Sequence, residues 1–180
     1  MVGADSRIPE PDADPLAVAR GIALARLTLR AHSEAELRTV LSKKNTPPEV
    51  VDELMARFRE VGLVDDAGFA KSWVTSRHEH RGASARSLRD ELRRKGVDRE
   101  LIDAAVAGVD HDSELAAARG LAERKLRSLR GVDAVAARRR LMGALSRRGY
   151  ASSVVVQIVN EVADRLGGAD DDELSSDAWD

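Results

Sequence analysis

Leu88-Arg89-Asp90-Glu91-Leu92-Arg93-Arg94-Lys95-Gly96, followed by Leu101-Ile102, decides the fold, because the chain repeats its pattern three times. Upstream, Leu37 and Leu41 lead into Lys43-Lys44-Asn45 and then Val50-Val51. Downstream, Leu141 and Leu145 lead into Arg147-Arg148-Gly149 and then Val154-Val155. The first leucines stand 51 and then 53 residues apart, while the spacing inside each copy is unchanged. A period of about 50 residues marks stacked copies of one supersecondary unit, each needing its neighbours to finish burying an apolar face.

Each part of the pattern has a local cause. Leucines four apart lie on one face of an α-helix. The basic pair falls in the last turn, beside unpaired carbonyls and the negative end of the helix dipole. Gly96 and Gly149 then stand where helices stop in a left-handed conformation, with Asn45 as the next best residue there. The apolar pair opens another helix, which Pro47-Pro48 suits in the first copy. An upstream helix completes each copy, over about 15–31, 66–80 and 113–128 by the same periodicity. No segment alternates like a half-buried strand, so the fold class is all-α, three tandem three-helix repeats. They are expected at 15–64, 65–111 and 112–166.

Charge divides the chain unevenly. The net charge is −2, but residues 1–14 carry −3 and residues 167–180 carry −6, leaving +7 on the body. Both ends are short, acidic and polar, and are expected to be disordered tails. Within the body, Arg119 to Arg148 hold ten basic residues against Glu123 and Asp133. Arg86, Arg89 and Arg93 recur at helical spacing, forming a stripe away from Leu88 and Leu92. Capping explains one basic pair per copy, not a surplus of this size. A basic body points to a polyanionic partner or an acidic protein surface. Aromatics are only 3% of the chain; Phe58, Phe69 and Trp73 fall at core-like positions, leaving Tyr150 as the one candidate stacking platform. Contact with backbone phosphates or acidic protein patches therefore fits better than base reading.

Other chemistry is hard to find. There is no cysteine, hence no disulfide or thiolate metal site, which is compatible with a cytoplasmic location. No secretory signal opens the chain, and no apolar run approaches the roughly 20 residues that cross a bilayer. Neither a P-loop nor a Gly-x-Gly-x-x-Gly turn occurs. Ser84 reads as an N-cap rather than a nucleophile, and His78 and His80, two apart on a helix, read as solvated side chains rather than metal ligands. No catalytic residue and no cofactor or metal site is expected.

The second copy carries a fuller signature. Leu63-Val64-Asp65-Asp66-Ala67-Gly68-Phe69-Ala70-Lys71-Ser72-Trp73-Val74, then Arg77, then Gly82 and Arg86-Ser87-Leu88 through Val97, closely resembles the core signature of the bacterial RecX family. Arg139-Arg140-Leu141 with Leu145-Ser146-Arg147-Arg148-Gly149-Tyr150 is similar to that family's C-terminal signature. The resemblance spans about residues 16–166. It implies an elongated, curved array of three repeats and no enzymatic activity. It also implies binding to the RecA recombinase filament on single-stranded DNA, with inhibition of filament extension, ATP hydrolysis, strand exchange and co-protease function. Gly68 departs from the family's larger polar residue, which should loosen that helix start.

Together these readings nominate Arg86, Arg89, Arg93, Arg94, Lys95, Arg139, Arg140, Arg147 and Arg148, with Lys43 and Lys44, as filament- or phosphate-binding residues of a cytoplasmic monomer that stays off membranes. Direct contact with DNA would be weak and made through phosphates. Two alternatives stay open: a general DNA-binding helical-repeat protein without a recombinase partner, and a protein scaffold that ignores nucleic acid.

Overall fold

The computed structural model describes residues 14–167, with side chains as far as residue 162. The expected acidic tails lie outside the described residues, apart from Asp14 and Gly167. Among the described residues there are nine helices and no strand. In order they are α1 (Pro15–Leu29), α2 (Glu34–Ser42), α3 (Pro48–Glu60), α4 (Asp66–Arg81), α5 (Ala85–Arg94), α6 (Arg99–Val106), α7 (His111–Arg127), α8 (Ala134–Arg147) and α9 (Ser152–Gly167).

Side-chain caps set most of the helix starts, α3 instead opening on Pro47-Pro48 without one. Asp14 accepts from the Leu16 N–H ahead of Pro15, and Ser33 accepts from Glu36 in a reciprocal capping box. Ser84 caps α5 by accepting from the Ser87 N–H at 3.2 Å, as its position in the sequence predicts. Asp110 caps α7, which starts two residues earlier than the periodicity alone suggests. The three stops are alike. Asn45, Gly96 and Gly149 have φ of 57°, 72° and 80°. The N–H one residue on then reaches back to the second leucine's carbonyl: Thr46 to Leu41, Val97 to Leu92 and Tyr150 to Leu145.

The repeated leucines do what their spacing predicts. Leu37, Leu41, Leu88, Leu92, Leu141 and Leu145 are all fully buried, each worth about 1.5–3 kcal/mol relative to exposure. They anchor three separate apolar clusters. One joins Ala19, Leu54, Met55 and Phe58 to the first pair; the second holds Phe69, Val74, Ile102 and Val106; the third holds Ala118, Ile158, Val159 and Val162. No single core exists. The array is three small cores in series, as the repeat pattern implies.

The joints between copies are also repeated. At the first, the buried Ser33 hydroxyl donates to the Lys95 carbonyl at 2.6 Å, so the start of α2 sits on the end of α5. At the second, the buried Ser84 hydroxyl donates to the Arg148 carbonyl at 2.9 Å, so the start of α5 sits on the end of α8. Opposite dipole ends meet at both places. An acidic residue from the next copy completes each joint: Asp66 accepts from the Glu34 N–H at 2.8 Å, and Glu114 from the Ala85 N–H at 3.0 Å. Burial pushes the Asp66 carboxyl up from its ordinary value, the cost of seating it inside the joint.

Several side chains differ from the sequence reading. Tyr150 is buried, and its hydroxyl donates to the Gly82 carbonyl at 3.0 Å. Burial first, then the Glu114 charge, push its pKa up to about 12. It braces the second joint and offers no stacking face. Trp73, expected in the core, packs against the second cluster but is only half-buried, with Arg77 and Lys95 over its ring. His78 is not simply solvated either: it is half-buried, with Nδ1 2.9 Å from the Ala83 carbonyl. Gly68 donates its N–H to the Asp65 carboxylate that caps α4, at 3.0 Å.

Candidate functional site

Packing sorts the nominated cations into two groups. Lys95 donates to Glu36 at 2.8 Å across the first joint, with its ammonium 4.2 Å from the Trp73 ring centre. Arg148 donates to the Arg81 carbonyl across the second joint. Arg89 faces Asp103 at 3.5 Å and Arg93 pairs with Asp90 at 2.8 Å. The expected stripe is thus broken, because two of its three arginines turn toward carboxylates. Lys95 and Arg148 serve the architecture. By contrast, Lys43, Lys44, Arg86, Arg94, Arg139, Arg140 and Arg147 are exposed or half-buried and make no ion pair among the described residues.

Three of these free cations converge. Arg139, Arg140 and Arg147 on α8 meet Lys125 from α7 around a cleft of about 280 Å³ floored by Gly143, with no carboxylate in its lining. Positions 139, 140, 143 and 147 share one flank of α8, while Leu141 and Leu145 point into the core. Lys125 and Arg147 stand in the last turns of their helices. The helix dipole steadies them there without a counter-ion, so their charge remains available. A Cβ on Gly143 would approach the Arg147 Nη1 to 3.1 Å. This glycine therefore gives the guanidinium room to lie along the helix.

Arg94 belongs to a different cleft, of about 410 Å³, shared with Glu36, Trp73, Arg77, Glu91 and Lys95 at the first joint. There two carboxylates, Glu36 and Glu91, offset most of the charge of three cations. The Arg77 guanidinium lies 4.4 Å from the Trp73 ring centre and the Trp73 indole N–H donates to Glu91 at 2.8 Å. Cations occupy the approach to the ring, so it is a strut. Lys43, Lys44 and Arg86 line neither cleft.

The first joint should be acid-sensitive. Burial alone would raise the Glu36 pKa, but bonds from Arg30, Lys95 and the Ser33 N–H outweigh it and hold the carboxyl at about 2, against an ordinary 4.5. A depressed folded-state pKa stabilises the joint above the unfolded value, and that stability is lost as pH falls toward about 2. Trp73 fluorescence, followed in a Trp179→Phe background from about pH 5 down to about pH 2, should report Lys95 leaving the ring. Glu36→Gln should remove this transition; an unchanged titration in that variant rejects the assignment.

Lys125 and Gly143 escape the sequence reading as site residues. Lys125 is brought to α8 only by helix packing. Gly143 does carry a signal: a glycine inside a helix costs about 0.8–1.0 kcal/mol relative to alanine and asks for a reason. No group of His, Asp or Glu among the described residues could hold a metal, and no described helix is long and apolar enough to cross a membrane.

Comparison with known proteins places this geometry in a family. Residues 19–58, 65–106 and 112–159 match, in order, the first, second and third three-helix domains of RecX. A protein of Streptomyces coelicolor named Regulatory protein RecX is 42% identical over 158 residues, covering 88% of this chain and 84% of that one. Its namesake in Thermobifida fusca is 43% identical over 154 residues, covering 86% and 83%. A crystal structure of regulatory protein RecX superposes with a TM-score of 0.71 at 25% identity, covering 82% of this chain and 74% of that chain. RecX from Lactobacillus salivarius, at 16% identity, shares the fold with a TM-score of 0.70. Three domains matched in order across most of the sequence leave one conclusion: the chain belongs to the RecX family.

Proposed function

We propose that this protein is a regulator of the RecA recombinase that binds the nucleoprotein filament on single-stranded DNA. It restrains filament extension, ATP hydrolysis, strand exchange and co-protease activity, and so modulates DNA repair and the SOS response. The observation carrying this reading is the ordered match to all three RecX domains, in relatives named as regulatory proteins. The form of the molecule supports it. Three units in series suit a long periodic partner better than a small ligand, since weak contacts made along a polymer add through effective concentration. We take 15–64, 65–111 and 112–166 as those units.

A three-way binding comparison tests the reading, using bare single-stranded DNA, bare recombinase and the assembled filament. The filament should bind tightest, and recombinase ATPase should fall as the protein is added. Indifference to recombinase would favour the general DNA-binding alternative. Indifference to DNA would favour the scaffold. Arg139→Ala/Arg140→Ala/Arg147→Ala should keep its helicity yet lose about tenfold or more in filament affinity, since charge-assisted contacts of this kind are individually strong. Lys95→Ala and Arg148→Ala should instead lower stability, because they unpick joints.

A further inference from the structure

We infer that the Lys125–Arg139–Arg140–Arg147 cleft holds the phosphodiester backbone of a nucleic-acid strand, making the third repeat the part of the molecule that touches DNA. This rests on the filament reading above and refines it, since a filament offers both carboxylates and phosphates.

In repeat 1, Arg30, Arg38, Arg57 and Arg59 are all paired with carboxylates of the same repeat. In repeat 2, Arg77, Arg89, Arg93 and Arg99 are paired likewise. On repeat 3, unpaired positive charge gathers in a cleft with four cations and no acidic lining. Repeats 1 and 2 keep free cations too, but Arg94 shares its cleft with Glu36 and Glu91, and Lys43, Lys44 and Arg86 line neither cleft. In repeat 3 Arg119 is paired with Glu161, away from the cleft lining. Four cations on one cleft give it a positive potential that attracts an anion.

The chemistry of that anion follows from the donors. A single carboxylate is planar, offers two oxygens and carries one charge. Three guanidinium forks and an ammonium, arriving from two helices, exceed what it can accept. A strand supplies a charge about every 3.4 Å, each on a tetrahedral group that accepts hydrogen bonds from several directions. Gly143 fits the same picture, because it lets the Arg147 guanidinium lie close to the helix surface on the cleft floor. No aromatic lines the cleft, so bases are not stacked there and binding is independent of sequence.

The test uses the full chain and an oligothymidylate, with affinity measured across a salt series. Arg139→Gln/Arg140→Gln should weaken binding about tenfold or more and flatten the dependence of log K on log salt by about 0.7 for each phosphate that is no longer neutralised. Arg20→Gln/Arg26→Gln removes the same charge from exposed positions of α1, outside the cleft and outside the nominated residues, and should leave the slope within error. Equal losses from the two doubles would mean diffuse attraction and overturn the assignment. So would an equal loss of poly-glutamate and oligothymidylate binding in the Arg139→Gln/Arg140→Gln protein, or displacement of the strand by ATP at matched phosphate. Gly143→Ala is a second probe that keeps every charge. It should raise thermal stability while weakening strand binding through displacement of Arg147, and unaltered binding would remove the glycine from the site. If the cleft double loses filament affinity but keeps bare-strand affinity, this inference fails while the filament reading survives. If bare-strand binding falls and filament inhibition persists, the cleft is a DNA site and the filament reading loses it.

Discussion

Leu141→Ala should unfold the third repeat and leave the first two standing. Leu141 is fully buried in a cluster that excludes the cores of repeats 1 and 2. A leucine truncation at such a site costs about 2.7–5 kcal/mol, the transfer term plus a cavity that surrounding side chains only partly fill. Where each repeat touches only its neighbours, stability is a sum of unit and joint terms, and the damage stays local. Hydrogen exchange should show α7, α8 and α9 losing protection together, with α1 to α3 keeping theirs. The start of α5 should loosen slightly, because the Ser84 hydroxyl and the Ala85 N–H both bond into repeat 3. Binding through the cleft should vanish, since Arg139 and Arg140 directly precede Leu141 on α8. A uniform loss of protection from α1 to α9 would show one cooperative core and contradict the serial architecture.

What is legible in the sequence is whatever recurs within one copy. The leucine pairs, the stop residues and the Ser84 cap are local signals at fixed spacing, and all appear where that spacing puts them. Which cations stay free is not legible. That depends on acceptors supplied from far along the chain: Lys95 is claimed by Glu36, 59 residues earlier, and Arg148 by a carbonyl 67 residues earlier. Arg94-Lys95 and Arg147-Arg148 look alike in sequence, yet in each pair one member is structural and the other free. Residue type alone makes Tyr150 a platform, although the repeat itself holds the better answer. It occupies the place of Val97, the residue just beyond the left-handed stop, where a side chain folds back onto its own helix. Both are buried. Alignment of the copies is therefore a better guide to burial than residue type.

Gly96→Ala tests the first joint most sharply. Gly96 has φ of 72°, and a Cβ added there would sit 2.3 Å from the Cβ of Ala35 in the first turn of α2. Two penalties add. An L-residue in this conformation costs about 1–2 kcal/mol. The clash comes on top, and it cannot be relieved by a rotamer change, because an alanine methyl has none to offer. The joint has to part, which stretches the Ser33 bond to the Lys95 carbonyl and the Lys95 pair with Glu36. We expect a total loss of about 3 kcal/mol or more, read as a drop in the denaturation midpoint of repeats 1 and 2. Asn45→Ala separates the two terms. Asn45 also lies in the left-handed region, with φ of 57°, but it ends α2, which bears on no further copy, so only the conformational cost of about 1–2 kcal/mol applies. Ala35→Gly removes the opposing methyl, and in the double variant it should return the steric part of the Gly96→Ala loss. The coupling between positions 35 and 96 then measures how closely the two helix ends abut. Additive effects at these positions, with Gly96→Ala as mild as Asn45→Ala, would mean that α2 does not rest on α5, and the array would have to be joined in some other way.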